Sequence, residues 1–266
     1  MKKSFLISIG ILLMCSSSLY AQDTLLNRKS LCFPTKKYGI SIGNSYKFTG
    51  LRINFADENV KIINGLNVTF WEKRAENQNA VVNGISVGVI PTVGTMGPIN
   101  LGILGTGAAN NLYGLTLGGF VVGAGGNIKG LCVSGLITMA GGDNSVISGI
   151  VISGIGIGAH KAINGLALGG FAVGTDGNIN GIASSLTYIS AGNNFKGLAV
   201  TAGYLNSEIF SGVAIAGYTN TTHMNGLSFA LFNRTKDLHG AQLGLLNFAA
   251  NNPKWLKLTP LINFHL

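Results

Sequence analysis

The chain has 266 residues and a formal net charge of +9, yet only 10% of its residues are charged and 40 are glycine. Mean hydropathy is +0.40, and between Asn77 and Phe195 the charged side chains are only Lys129, Asp143, Lys161 and Asp176. That is far below the ~25% charged residues of an ordinary soluble domain, and the scattered lysines, without interleaved aromatics, exclude a nucleic-acid-binding reading.

In chain order, the first element is an export signal. Lys2 and Lys3 precede an apolar run from Phe5 to Met14, then Ser16 to Ser18 and Ala21, which predicts a signal peptide over 1–21 cleaved after Ala21. The run is shorter than the ~20 apolar residues a spanning helix needs. Lipidation at Cys15 is the competing reading, and the bulky Met14 before it does not suit such a site. A short segment over 22–37 follows, then one repeat-built β domain over 38–266. No helix-like apolar segment appears in it, because the most apolar stretch, Ile147 to Gly158, is β-branched and interrupted by glycine.

That domain is written in one cassette, glycine–large–small–large. Its leading glycines are Gly65, Gly84, Gly102, Gly114, Gly130, Gly149, Gly165, Gly181, Gly197, Gly212, Gly226 and Gly240, with Gly149 to Gly197 spaced by 16. A unit this short cannot bury its own apolar side chains and must pack on its neighbours. The alternation predicts strands. Asp176-Gly177-Asn178, Gly125-Gly126-Asn127, Gly142-Asp143-Asn144 and Gly192-Asn193-Asn194 supply turns. Counting from each glycine, positions +1 and +3 are large (Leu66 and Val68, Ile150 and Ile152). Positions 0, +2 and +4 are small or weakly polar (Gly65, Asn67 and Thr69).

Two architectures fit. The preferred one is an all-β, up-and-down antiparallel transmembrane β-barrel of about 14 strands, with large residues facing lipid. The clean alternation of the first strands, the drifting repeat length and the terminal Leu261-Ile262-Asn263-Phe264-His265-Leu266 favour it. The alternative is a β-solenoid of ~16-residue coils with large residues inside and small ones outside. The shift of the greasy face at Gly118-Gly119 and Gly169-Gly170 favours that one, since a corner there would turn both apolar pairs inward.

At Gly240-Ala241-Gln242-Leu243-Gly244-Leu245-Leu246-Asn247-Phe248, with Asn251-Asn252-Pro253-Lys254-Trp255 and Pro260 to Phe264 after it, the chain resembles a family of bacterial surface-repeat proteins. These occur in spirochaetes of the Leptospira type and in Bacteroidetes, with a consensus near G-[LV]-Q-[IL]-G-[LV]-x-N. The match is close over 240–266 and loose over 65–235, where Ala, Ser, Thr or Cys replaces the glutamine. The resemblance implies a cell-surface location and no catalytic activity, and it transfers no site residues.

Residues with catalytic potential are few. His160, His223, His239 and His265 stand beside turns or near the end, and His223 with His239 makes a metal pair imaginable, without a supporting carboxylate cluster. Asp57, Glu58, Glu72 and Glu76 with Lys61, Lys73 and Arg74 read as a solvated loop rim. Gly154-Ile155-Gly156-Ile157-Gly158 lacks the βαβ setting of a dinucleotide site. Trp71, Trp255 and the tyrosines read as interface or packing aromatics. Cys32 and Cys132 pair only if the fold brings them together. The expectation is therefore no enzyme, no catalytic, cofactor or metal residues, and an outer-membrane, structural or passively pore-forming barrel. Its partners would be outer-membrane lipid and, during biogenesis, the barrel-assembly machinery. The alternative is a secreted or cell-surface solenoid with an adhesive or interaction role.

Overall fold

Each repeat glycine lies beside the glycine of the preceding repeat, in parallel register. The ladder runs Gly39–Gly50–Gly65–Gly84, continues through Pro98, and resumes as Gly114–Gly130–Gly149–Gly165–Gly181–Gly197–Gly212. These pairings come from a computed structural model that describes residues 29–72 and 78–265. The expected signal peptide over 1–21, with its cleavage site after Ala21, lies outside the described residues, as do Lys73, Arg74 and Glu76.

Strands β1 (Lys29–Pro34), β2 (Tyr38–Asn44), β3 (Lys47–Asp57), β4 (Ile62–Glu72), β5 (Val81–Gly88), β6 (Thr92–Gly102) and β7 (Gly105–Gly118) open the chain. In the centre, long strands alternate with short ones: β8 (Val121–Ala124), β9 (Ile128–Ser134), β10 (Ile137–Ala140), β11 (Val146–Ser153), β12 (Gly156–Ala159), β13 (Ala162–Gly169), β14 (Ala172–Thr175) and β15 (Asn178–Ser185). Then come β16 (Tyr188–Thr201), β17 (Tyr204–Ala249), which continues through successive coils, and β18 (Leu258–His265).

In the centre β9, β11, β13 and β15 form one parallel ladder and β8, β10, β12 and β14 another, and the longer β7 and β16 take part in both. The chain thus winds once per repeat and lies on its own previous turn. This is a β-solenoid, and the antiparallel transmembrane barrel of about 14 strands is incorrect. The turn residues mislead because Gly-Asn and Asp-Gly bend the backbone equally well at a hairpin and at a coil corner. Antiparallel pairing occurs at the two described ends, β1 on β2 and β18 on β17.

Glycine is required on the ladder because the space is taken by backbone. At Gly84, φ is +147°, and a Cβ built there would lie 2.0 Å from the carbonyl oxygen of Gly65. Gly102, expected as a ladder glycine, is not one. Pro98 occupies that rung opposite Gly84, and Gly102 lies four residues further on, opposite Gly118. Coil length varies freely between rungs, from Gly39–Gly50 to Gly65–Gly84, and the turns absorb the difference.

The core is built on the side of the strand that carries the small residues, which the solenoid reading places outside. Position −2 carries the large buried side chains, among them Ile63, Met96, Leu112, Ile128, Ile147, Ile163, Ile179, Phe195 and Phe210. Each fully buried side chain of this kind contributes about 1.5–3 kcal/mol. Position +2, further along the same inward side, carries small residues: Cys132, Val151, Ala167, Ala183, Ala199 and Ala214. Val122, Ile157 and Val173 on the short strands, continued by Ile189 of β16 and Leu205 of β17, close the interior. Large against small gives the interdigitation that close packing needs. The large residues at +1 and +3 point outward, which reverses the solenoid expectation. The corner at Gly169–Gly170 is real, but it leaves Leu166 and Leu168 outside, Phe171 exposed and only Val173 inside.

Column +2 changes character along the axis. It is polar in the first coils (Arg52, Asn67, Ser86, Asn100, Thr116), apolar in the middle, and polar again at Ser228 and Gln242. Arg52 and Asp57 are fully buried and form an ion pair. Arg52 also donates to Asn67 Oδ1 (2.8 Å), Asn44 Oδ1 (2.8 Å) and Ser45 Oγ (3.2 Å). Asp57 is thus no part of a solvated rim. It is the counter-charge of an arginine that fills the interior where the small column has no alanines.

Candidate functional site

An extended apolar surface follows directly from the outward +1 and +3 positions. Columns +1 and +3 stack in register on the outside of the long strands: Leu131, Ile150, Leu166 and Ile182 in one, Val133, Ile152 and Leu168 in the other. Ile150 is 45% and Ile152 39% exposed, although coils lie above and below both. At about 4.8 Å per rung, the ladder from Gly39 to Gly240 is on the order of 60 Å long. With the two columns about 10 Å across, the apolar face covers on the order of 600 Å². That equals or exceeds the largest apolar patch of a typical monomeric protein, roughly 300–600 Å².

The face does not stop at the strand end. Leu104, Phe120, Leu136, Ile155 and Phe171 form a further exposed column on the coil corner. Backbone hydrogen bonds hold it in line: Phe120 N to Leu104 O, Leu136 N to Phe120 O, Ile155 N to Leu136 O and Phe171 N to Ile155 O, at 2.7–2.8 Å. On the opposite border, position −1 is polar, with Asn64, Asn83, Asn164 and Asn180 in two hydrogen-bonded pairs (3.1 and 2.8 Å), Lys129 between the pairs and Lys196 one rung beyond Asn180. Lys129 Nζ stands 6.0 Å from the ring centroid of Tyr113, its neighbour one coil below.

The short-strand side is different. Its outward positions begin apolar (Val121, Met139), are small at Gly158 and Gly174, then turn polar and aromatic. Tyr188, Tyr204 and Tyr218 stack with centroids 5.7 and 5.3 Å apart and rings 8° from parallel. Beside the stack is a polar groove of about 460 Å³ lined by Asn206, Glu208, Asn220, Thr221, Arg234 and Lys236, among others. Asn220 Nδ2 donates to Asn206 Oδ1 (3.0 Å), and the buried Thr221 hydroxyl finds no partner among the described residues. Such a groove presents donors and acceptors of both charges to a small polar ligand.

The histidines sit on the coil edges, and each ring meets a partner one coil away. His160 Nδ1 is 2.8 Å from Asp176 Oδ2, and His223 Nδ1 is 3.1 Å from Asp237 Oδ2. His239 Nδ1 lies 3.8 Å from the same Asp237 oxygen, and its ring meets His265 edge-on at 6.1 Å. His223 and His239 are therefore brought together, around a carboxylate that the linear reading did not assign. The missed signal is the offset: His–Asp separations of 16 and 14 residues equal one coil. Among the described residues no group of three or more His, Cys, Asp or Glu side chains is arranged to hold a metal ion.

Cys32 and Cys132 are separate free thiols. Cys132 fills an interior +2 position, where burial pushes its thiol up to about 11 against the small opposing effect of the Thr138 hydroxyl. Trp255 is exposed on the loop before β18, a placement consistent with a surface aromatic.

Compared with protein-family models, with curated proteins and with solved structures, the chain matches none.

Proposed function

We propose that this chain is an exported, surface-displayed β-solenoid that acts by binding rather than by catalysis, with the outer face of its long strands as the contact surface. The observation that carries the reading is the in-register exposure of large apolar side chains at +1 and +3, from Ile53 to Phe229. An apolar patch of this length is disfavoured in water and is kept where it contacts something. The sequence of 1–21 and the resemblance of 240–266 to bacterial surface-repeat proteins support the placement outside the cell. A pore is not part of the proposal, since the interior of the solenoid is filled with side chains.

The test is an apolar-surface dye and a charged pair on the face. The double variant Ile152→Glu/Leu168→Glu puts two carboxylates on positions that already face outward, so the far-ultraviolet circular dichroism should be unchanged. Dye fluorescence should fall by more than half. Unchanged fluorescence in a folded variant would mean that the face is not an accessible binding surface. Export is checked separately, by sequencing the amino terminus of the mature protein, expected at Gln22.

A further inference from the structure

Resting on that reading, we infer that the partner of the apolar face is a lipid surface, on which the solenoid lies lengthwise without crossing it. The shape of the apolar surface selects the occupant. Columns +1 and +3 lie on one side of the coil, and Phe120, Leu136, Ile155 and Phe171 carry the apolar surface round the corner. A rigid second copy docks flat on one side and leaves the corner column in water. Acyl chains are fluid and cover both sides of a convex ridge, which sinks about 5–10 Å into the headgroup–acyl boundary.

The borders fit the same occupant. Position −1 runs along the edge of the face with amides, Tyr113, Lys129 and Lys196, and no acid stands in that column among the described residues. Lysine and tyrosine at the edge of an apolar surface place a charged or polar tip among headgroups while the stem stays in the apolar layer. The cationic tips also suit anionic lipid. On the far side the column runs Met139, Gly158, Gly174, Ser190 and Asn206, so that after the exposed Met139 it is small or polar and suited to water. A continuous greasy ridge on one side and mostly small or polar residues on the other describe a protein that rests on a bilayer.

The experiment is vesicle flotation of the full chain, purified without detergent. Vesicles of phosphatidylcholine with phosphatidylglycerol are used at physiological salt, alongside light scattering of the protein alone. The chain should float with the vesicles. Ile152→Glu/Leu168→Glu should lower the bound fraction at least tenfold, and the corner variant Phe120→Ser/Phe171→Ser several-fold. Ser190→Glu, on the far side, should float as the parent does. Circular dichroism of each variant shows that the fold is kept.

A parent that stays at the bottom and scatters as a dimer, which Ile152→Glu/Leu168→Glu converts to monomer, overturns the lipid assignment and leaves the binding-face reading standing. A parent that neither floats nor self-associates overturns the lipid assignment and leaves the face without a contact. Flotation that survives both apolar variants but is lost in high salt overturns it too, by making the attraction purely electrostatic.

Discussion

A Cβ on Gly165 would lie 2.2 Å from the carbonyl oxygen of Gly149, the residue stacked directly beneath it. The contact is backbone, so no side-chain rearrangement relieves it. Gly165 also has φ +115°, where an L-residue is strained. Gly165→Ala should therefore lower stability by about 2–5 kcal/mol, combining the left-handed penalty with that of overpacking. At Gly158 nothing lies within 4 Å of the corresponding Cβ. Gly158→Ala should leave stability within about 0.5 kcal/mol or raise it slightly. Urea denaturation of both variants measures the contrast, and equal effects would remove the glycine ladder as the determinant of register.

Arg52 and Asp57 should behave as one unit. Arg52→Leu leaves a buried carboxylate without its counter-charge and should cost about 3–5 kcal/mol. Arg52→Leu/Asp57→Leu removes both charges and should recover a large part of that loss, because the desolvation of the ions disappears with them. Chemical denaturation of the two variants is the measurement. A double variant worse than the single would show that the pair holds the first coils together through its hydrogen bonds.

The buried thiol gives a pH dependence of definite sign. In the folded state Cys132 is raised from 9.0 to about 11, so the folded protein holds its proton where the unfolded chain releases it. Its contribution is fully present below pH 9 and falls as pH rises from about 9 through 11, by up to about 2–3 kcal/mol. Cys132→Ala fits the column already filled by Ala167, Ala183 and Ala199, and should flatten that fall. The urea midpoint of parent and variant at pH 8 and pH 10.5 decides it, since tyrosine and lysine titration is common to both. Native Cys132 should also resist alkylation at pH 8 and react once unfolded.

Gln242 occupies the interior +2 column with neither its amide nitrogen nor its oxygen hydrogen-bonded to any described residue. A buried amide without partners carries a desolvation penalty of about 1–3 kcal/mol. Gln242→Met keeps the volume and removes the polar atoms, so it should be stabilising by about 1 kcal/mol. A loss of 2 kcal/mol or more on thermal or urea unfolding would show instead that the polar end of the column is needed.

The repeat, the all-β class and the division into a large and a small face were readable from the residues. Leu166, Ala167 and Leu168 alternate whatever the fold, and Gly165 announces a position closed to side chains. What alternation lacks is a sign. It says that Leu166 and Ala167 face opposite ways and not which of them is inside. Burying the small residue is the unusual choice, made possible by Ile163 beside it on the same strand and Val173 on the short strand filling the interior. Strand direction was hidden for a similar reason, because Asp176-Gly177 serves a corner as well as a hairpin. The His160–Asp176 and His223–Asp237 contacts were invisible until the coil length became known, after which each is one repeat apart. The Arg52–Asp57 pair could not be seen at all, since five residues on a strand normally put two side chains on opposite faces.

The reversal of direction at β1 and β18 bears on growth. A purely parallel stack offers the same hydrogen-bonding pattern at top and bottom, so one molecule can seed the next and a filament follows. Here both described ends turn antiparallel, and each terminal strand contains a proline, Pro34 in β1 and Pro260 in β18, which offers no N–H for pairing. A copy arriving in parallel register meets a strand of reversed direction at either described end, so the repeat that stacks so readily within one chain is not offered to the next.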